Sequence, residues 1–336
     1  MERPYLLVGD IGGTHSTLEL YEHRAGEVRA VHGHTFSSAA YATFDTLLDE
    51  FLAAPTAAAA LKHIDGLCLS VAGPVQGNAS DLTNLSWRID GAALSARYGI
   101  PEALIVNDFA AVGYGIGALR AHDLVTLQRA VAQPHGNRLA VGAGTGLGVC
   151  LLTWQNDGYL VHASEGGHTD FAPVNETQDA LLASLRVAFG RVSYERVVSG
   201  PGLLRIFSFL QESGEHAPSR QLNEAMQRQD AAAAISEFAM NKLDPLATRA
   251  LDQFVEIYGA FAGNLALATL ARGGVYIAGG IGRKILDKLK DGSFVRAFAD
   301  KGRFSDMLQR YPVHVVTDPK VGIKGALHLI RRNLRA

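Results

Sequence analysis

Two glycine–threonine turns hold the residue types best suited to gripping an anion: Gly9-Asp-Ile-Gly-Gly-Thr14 and Gly142-Ala-Gly-Thr145-Gly146. Glycine lets a backbone curl its N–H groups around a negative group, and the threonine hydroxyl adds one more donor. One such turn in each half of a chain could clamp a polyphosphate from two sides. Only the first contains an acid, Asp10, where a metal ion accompanying the phosphates would need one. The asymmetry points to a nucleotide site. A dinucleotide-binding loop would open a helix, but the strand-like runs Thr17–Tyr21 and Val149–Trp154 follow these turns, and no Gly-Lys-Ser/Thr of a Walker loop is present. The bland alternative is a pair of glycine-rich hairpins that bind nothing.

Four further constellations could act on what such a site holds. Asn107-Asp108 ends the apolar run Ala103–Val106, and ligands of α/β sheets collect at the carboxyl ends of strands. Asp108 could cap the following helix, or it could be a general base that takes a hydroxyl proton during phosphoryl transfer. Glu165-Gly-Gly-His168-Thr-Asp170 places a carboxylate and an imidazole on one glycine turn, a combination suited to a polyhydroxylated molecule. A metal pair and a purely structural loop are its rivals. Glu195 precedes Ser199-Gly-Pro-Gly202, where the Gly-Pro-Gly is expected to break a helix. Finally, Gly273–Gly282 reads as strand, glycine turn and helix, and the bare backbone at Gly279 and Gly280 would let adenine or ribose lie flat against it.

The elements that must position these groups alternate in type. Residues 5–21 and Val28–His34 predict an antiparallel meander, Tyr41–Leu61 a helix with Phe44, Leu47, Leu48 and Phe51 on one face, and Gly66–Val71 a buried strand. A helix should start at Phe109. The second half repeats the order: a hairpin over 139–163, helices through 176–270, strands at Gly274–Ala278 and Val313–Val316, and a closing helix over Ile323–Leu334 with Arg331, Arg332 and Arg335 near its end. That last helix is expected to pack back on the first domain. This alternation is the α/β pattern.

Composition narrows the class. At 336 residues two domains are the prior, and 48% hydrophobic with 19% charged residues describes an ordinary globular protein. A net charge of −2 offers no footprint for nucleic acid or an anionic membrane. Cys68 and Cys150 lie in apolar runs and read as buried reduced thiols. No secretory leader is expected at Met1-Glu-Arg-Pro4, and no apolar run reaches the roughly 18–20 residues that span a bilayer. A cytoplasmic protein is the expectation.

Taken in order and spacing, the two turns, Asn107-Asp108, Glu165-Gly-Gly-His168, Ser199-Gly-Pro-Gly202 and Ala278-Gly-Gly280 resemble the bacterial glucokinase family of the hexokinase–actin–Hsp70 superfamily. The match runs from Leu7 almost to the end. The resemblance implies an α/β fold of two actin-like (ribonuclease H-like) domains with mixed sheets around a central cleft. The smaller would comprise 1–118 plus about 311–336 and the larger 119–310, with sugar and ATP between them. It implies Asp108 as catalytic base, Asn107, Asp108, Glu165, His168 and Glu195 on the sugar hydroxyls, and Asp10 ordering Mg²⁺ through water. Gly9, Asp10, Ile11, Gly12, Gly13 and Thr14, then Gly144, Thr145 and Gly146, would serve the phosphates, with Gly279 and Gly280 also in the nucleotide site. The implied reaction is ATP-dependent phosphorylation of glucose at its 6-hydroxyl, by a homodimer with no nucleic-acid or membrane partner. His15 stands where many members carry Asn. With two cysteines, the chain lacks the zinc motif of the related repressor/open-reading-frame/kinase family and resembles the zinc-free group. Another hexose or amino-sugar kinase, for mannose or N-acetylmannosamine, is the alternative on the same fold. An actin-like ATPase or a sugar-responsive regulator is more distant. The near-neutral charge and the position of Asp10 so near the start speak against the regulator.

Overall fold

Each half of the chain builds a sheet on one plan. The computed structural model describes residues 4–24, 27–82, 85–214 and 216–334. Residues 1–119 with 320–336 form one unit and 120–319 a second.

In the first unit the alternating patterns of Tyr5–Ile11 (β1), His15–Arg24 (β2) and Glu27–Ser37 (β3) fold as the expected antiparallel meander. Ile64–Val71 (β4) joins β1 in parallel. Ala79–Leu82 (β5) and Trp87–Asp90 (β6) make a separate hairpin. Glu102–Asn107 (β7) then pairs in parallel with β4, so the sheet order is β3-β2-β1-β4-β7.

The single helix expected over Tyr41–Leu61 is two: Phe44–Ala53 (α1), capped by the Thr43 hydroxyl, and Pro55–Ala60 (α2). Ala54 between them is extended at φ −61°, ψ 138°, because the ring of a following proline crowds the helical conformation. Phe44, Leu47, Leu48 and Phe51 are all buried, as their spacing requires. Gly91–Tyr98 (α3) is capped by Asp90, and Asp108–Ile116 (α4) follows β7 directly.

The second unit repeats the plan. Leu124–Gln128 (β8) is followed by a second meander, Arg138–Ala143 (β9), Leu147–Gln155 (β10) and Gly158–Ser164 (β11). A helical stretch comes next: Glu176–Phe189 (α5), Gly200–Glu212 (α6), Arg220–Arg228 (α7), Ala231–Met240 (α8) and Pro245–Thr269 (α9). Gly274–Ala278 (β12) pairs in parallel with β9. Gly279–Lys284 (α10), Leu286–Leu289 (α11), Ser293–Ala299 (α12) and Ser305–Leu308 (α13) lead to Val313–Val316 (β13).

The order β11-β10-β9-β12-β13 copies that of the first sheet, with β8 added antiparallel on the edge beyond β13. Strand β8 escaped the sequence reading because its residues are mostly half-buried and show no alternation. The core of this unit gathers around α9, where Phe254, Tyr258 and Phe261 meet Phe294 and Phe298 from α12. No helix among the described residues is long and apolar enough to cross a membrane.

Val321–Asn333 (α14) closes the first unit, as expected of the closing helix. Ile323, Ala326, Leu327 and Ile330 pack on Leu6 and Val8 of β1 and Cys68 of β4. Gly66 makes room for this: a Cβ there would come within 2.6 Å of Ile330. Burial pushes the Cys68 thiol up to about 12, which makes it unreactive. The expected boundary near 311 is too early, since β13 belongs to the second sheet and the first unit resumes at Lys320. Arg335 lies outside the described residues.

Candidate active site

In the first unit Asp10 and the Asn107-Asp108 pair lie at the carboxyl ends of β1 and β7, parallel strands that flank β4. Register pairs Asp10 of β1 with Ser70 of β4, and Val71 of β4 with Asn107 of β7. Ser70 Oγ donates to Asp10 Oδ1 at 2.8 Å. Asp10 is exposed by area, yet protein crowds it; this raises its carboxyl pKa, opposed by the Ser70 hydrogen bond. In the turn that follows, Gly12 N–H donates to the His15 carbonyl at 3.0 Å, and Gly13, Thr14 and His15 are exposed.

Two of the expected phosphate contacts have other work. Gly9 is buried in mid-strand, where a Cβ would come within 2.7 Å of both Leu18 and Leu69, so its missing side chain serves packing. Ile11 puts its side chain in the core, which leaves it only backbone to offer a ligand.

The helix cap weighed for Asp108 falls to its neighbour. Asn107 Oδ1 accepts from Phe109 N at 3.0 Å and Ala110 N at 3.1 Å, while its Nδ2 donates to the Gly73 carbonyl at 3.1 Å. Asn107 is thus the N-cap that fixes where α4 begins. Asp108 becomes the helix's first residue, half-buried, with Oδ1 accepting from Phe109 N at 2.7 Å.

The second unit brings the other candidates together. Gly166–His168 is a single tight turn in which His168 N–H donates to the Glu165 carbonyl at 2.9 Å. Both Glu165 and His168 are exposed. His168 Nε2 lies 3.9 Å from Glu195 Oε1, although 27 residues separate them in sequence. The other oxygen of Glu195 accepts from Leu147 N at 3.0 Å, at the end of the second glycine turn. A Cβ on Gly146 would approach that oxygen to 2.8 Å, so glycine there is what lets the carboxylate close on the turn.

Arg191 secures the same loop from outside, donating to the His168 carbonyl and pairing with Asp170, both at 2.6 Å. The Gly-Pro-Gly after Glu195 starts a helix, correcting the expectation that it breaks one. Ser199 caps α6 by accepting from Gly202 N at 3.1 Å, and proline is tolerated in a first turn because its missing N–H is not needed there.

Turn and nucleotide-side glycines converge at the carboxyl ends of β9 and β12, where Gly142 and Ala278 are register partners. Gly144 N–H donates to the Gly146 carbonyl at 2.8 Å, and Gly200 N–H to the Gly144 carbonyl at 2.9 Å. Gly279 has φ +84°, and a Cβ on it would strike the Ala143 carbonyl at 2.6 Å. Around Gly144 and Gly280, by contrast, there is open space where a side chain would stand, and Thr145 is exposed.

A family model described as Glucokinase matches residues 7–333. The chain belongs to the glucokinase family. It is 41% identical over 335 residues to the glucokinase of a Nostoc species, covering 96% of this chain and 97% of that one. Among solved structures it is similar to a glucokinase from an Antarctic psychrotroph, at TM-score 0.82 and 30% identity over 98% of this chain and 99% of the other. A ROK family glucokinase from Streptomyces griseus, solved in complex with glucose and AMPPNP, shares the fold at TM-score 0.64 and 20% identity, covering 98% and 99%. The architecture is accordingly α/β with two actin-like units and mixed sheets.

Three residues that brace these candidate groups went unread in the sequence. Ser70 had a signal, being a polar residue in the buried run Leu67-Cys-Leu-Ser-Val71 and level with Asp10. Tyr258 had none: from inside the apolar α9 its hydroxyl donates to the Val141 carbonyl and accepts from Ala143 N, both at 3.2 Å, bracing the strand that enters the second turn. Burial raises its phenol pKa, so it stays neutral. Arg191 had none either, since its two partners on the loop lie some twenty residues away in sequence. Among the described residues no group of three or more His, Cys, Asp or Glu could hold a metal ion.

Proposed function

We propose that the chain transfers the γ-phosphoryl group of ATP to the 6-hydroxyl of glucose, with Asp108 as the general base. Membership of the glucokinase family supplies the reaction. The observation that supports the residue roles is that Asp10 and the Asn107-Asp108 pair stand at the carboxyl ends of β1 and β7, the parallel strands on either side of β4.

The family resemblance gives Asn107, Asp108, Glu165, His168 and Glu195 as the groups that would hold the glucose hydroxyls. Asn107 already spends three of its hydrogen bonds on backbone, so it offers the sugar one N–H. The Asp108 carboxylate takes the 6-hydroxyl proton as that oxygen attacks the γ-phosphorus and the bond to the ADP oxygen breaks. The N–H groups of the two turns bind the phosphates, and the bare faces of Gly144 and Gly280 leave room for nucleotide.

Mg²⁺ fits the donor set at Asp10. That ion keeps several waters and takes one or two carboxylates beside phosphate oxygens, and Asp10 is a single crowded carboxylate at the mouth of a glycine turn. When bound it would neutralise the charge gathering on the phosphates. A cytoplasmic homodimer completes the proposal, supported by the buried cysteines Cys68 and Cys150 and by the family resemblance.

Asp10→Asn separates function from stability. Crowding raises the Asp10 carboxyl in the folded chain, so ionisation costs the folded state free energy. That cost is absent below the ordinary carboxylate value and grows as pH rises through the folded value. The Asn variant, which can still accept from Ser70, should therefore melt at a higher temperature than the parent at neutral pH, with the gap closing in acid. Its turnover should fall roughly 10²-fold or more, as when one charge-stabilising contact is lost. Thermal melts across pH beside steady-state rates check both halves.

A sugar panel tests the substrate assignment. Groups built to pair with particular hydroxyls reject a sugar lacking one by up to about 10⁴–10⁵. Glucose should be converted to its 6-phosphate, and its 4-epimer orders of magnitude more slowly. Equal rates on the two would remove Glu165, His168 and Glu195 from the sugar site. Preference for mannose or N-acetylmannosamine would keep the mechanism and change the substrate.

A further inference from the structure

We infer that Ser38 is a positioning residue that shapes the first phosphate turn for nucleotide. The inference rests on the proposed role of that turn. Ser38 is fully buried just after β3, far in sequence from the turn it touches. Its Oγ donates to the Gly12 carbonyl at 2.7 Å, and its N–H donates to the Thr14 carbonyl at 3.0 Å. Ser16 Oγ, also fully buried, lies 2.9 Å from Ser38 Oγ. Each hydroxyl has one proton. Since that of Ser38 goes to Gly12, the bond between the two serines uses the proton of Ser16.

The consequence follows from peptide geometry. In a planar trans unit the C=O and the next N–H point in opposite directions, and there are no cis bonds among the described residues. Drawing the Gly12 carbonyl inward onto Ser38 therefore turns the Gly13 N–H outward, at a residue that is exposed. Ser38 thus fixes the orientation of a donor that a phosphate would need. Without it the turn keeps the Gly12-to-His15 bond, but among the described residues no other hydrogen bond to the Gly12–Gly13 peptide holds that plane. A half-buried carbonyl deprived of its donor is also costly, so the plane would rotate to find another.

Calorimetric titration of the full chain with ATP·Mg²⁺ tests this, alongside steady-state kinetics. Ser38→Ala should weaken ATP·Mg²⁺ binding about tenfold and lower kcat/KM for ATP in parallel, while KM for glucose stays within about twofold. Ser16→Ala is the control. It breaks the same buried pair and lowers the melting temperature, yet leaves the Ser38-to-Gly12 bond and the ATP affinity intact. A folded Ser38→Ala protein with parental ATP affinity would overturn the assignment, as would equal weakening in Ser16→Ala. Should Ser38→Ala not fold, Ser38→Cys keeps the size with a poorer donor and should weaken binding to a lesser degree; parental affinity there would overturn the assignment too. A parent chain that binds ATP·Mg²⁺ but phosphorylates no sugar defeats the kinase reading, and the same titrations still decide Ser38. A parent that binds no ATP defeats both.

Discussion

Asp108→Asn is expected to lower kcat for glucose by about 10²–10⁴-fold, the usual contribution of a positioned general base. The amide oxygen can still accept from Phe109 N, and the cap belongs to Asn107, so α4 should start at the same residue and the fold should hold. What disappears is the ability to accept the 6-hydroxyl proton. KM for ATP should stay near the parental value, because the phosphate turns are untouched, and the melting temperature should barely move. Steady-state kinetics with a thermal melt reads all three. A variant within tenfold of the parent in kcat would place the base elsewhere. A large loss of stability would mean that Asp108 serves the helix rather than the reaction.

The second large effect is structural and reaches the same residue. Helices α4 and α14 meet backbone to backbone. A Cβ on Gly325 would lie 1.7 Å from the Ala111 carbonyl, and one on Gly115 would lie 2.0 Å from the Val321 carbonyl. No rotamer relieves a clash with backbone, so Gly325→Ala must push the helices apart. Overpacking of this kind costs about 1–3 kcal/mol, and more where the frame is rigid, which is a melting-point loss of several degrees. Because α4 carries Asp108 on its first turn, the folded fraction should also turn over more slowly. Differential scanning calorimetry and rates normalised to folded protein check this. An unchanged melting temperature would show that the two helices are not held so closely.

The parts of this molecule that were legible in its sequence are those written locally. A glycine–threonine turn between two alternating strands needs only some fifteen residues to declare itself; both turns and the opening meander stand where expected, and the hairpin expected over 139–163 is a three-stranded meander. The closing helix was visible from Ile323, Ala326, Leu327 and Ile330, whose spacing makes one apolar stripe. The break at Ala54 was also local, because Pro55 disfavours a helical residue before it.

What stayed hidden depends on partners distant in the chain. Nothing near Glu195 announces that its carboxylate will close on Leu147 N–H, or that Gly146 is small for its sake. Gly9 and Gly12 look alike as letters, but only the fold shows Leu18 and Leu69 filling the space beside the first. Asn107 and Asp108 are both good helix caps, and the choice between them was made by the register of β7 with β4, which also brings Asn107 to the Gly73 carbonyl. The boundary at Lys320 followed from β13 joining β12, a pairing between segments some forty residues apart.

The most direct measurement is ADP release from ATP·Mg²⁺ by the purified chain, with and without glucose. The account predicts release that depends on glucose, saturates with it, and yields one glucose 6-phosphate for each ADP. Release at the same rate with no sugar present would contradict it and leave an ATPase of the actin-like class in its place.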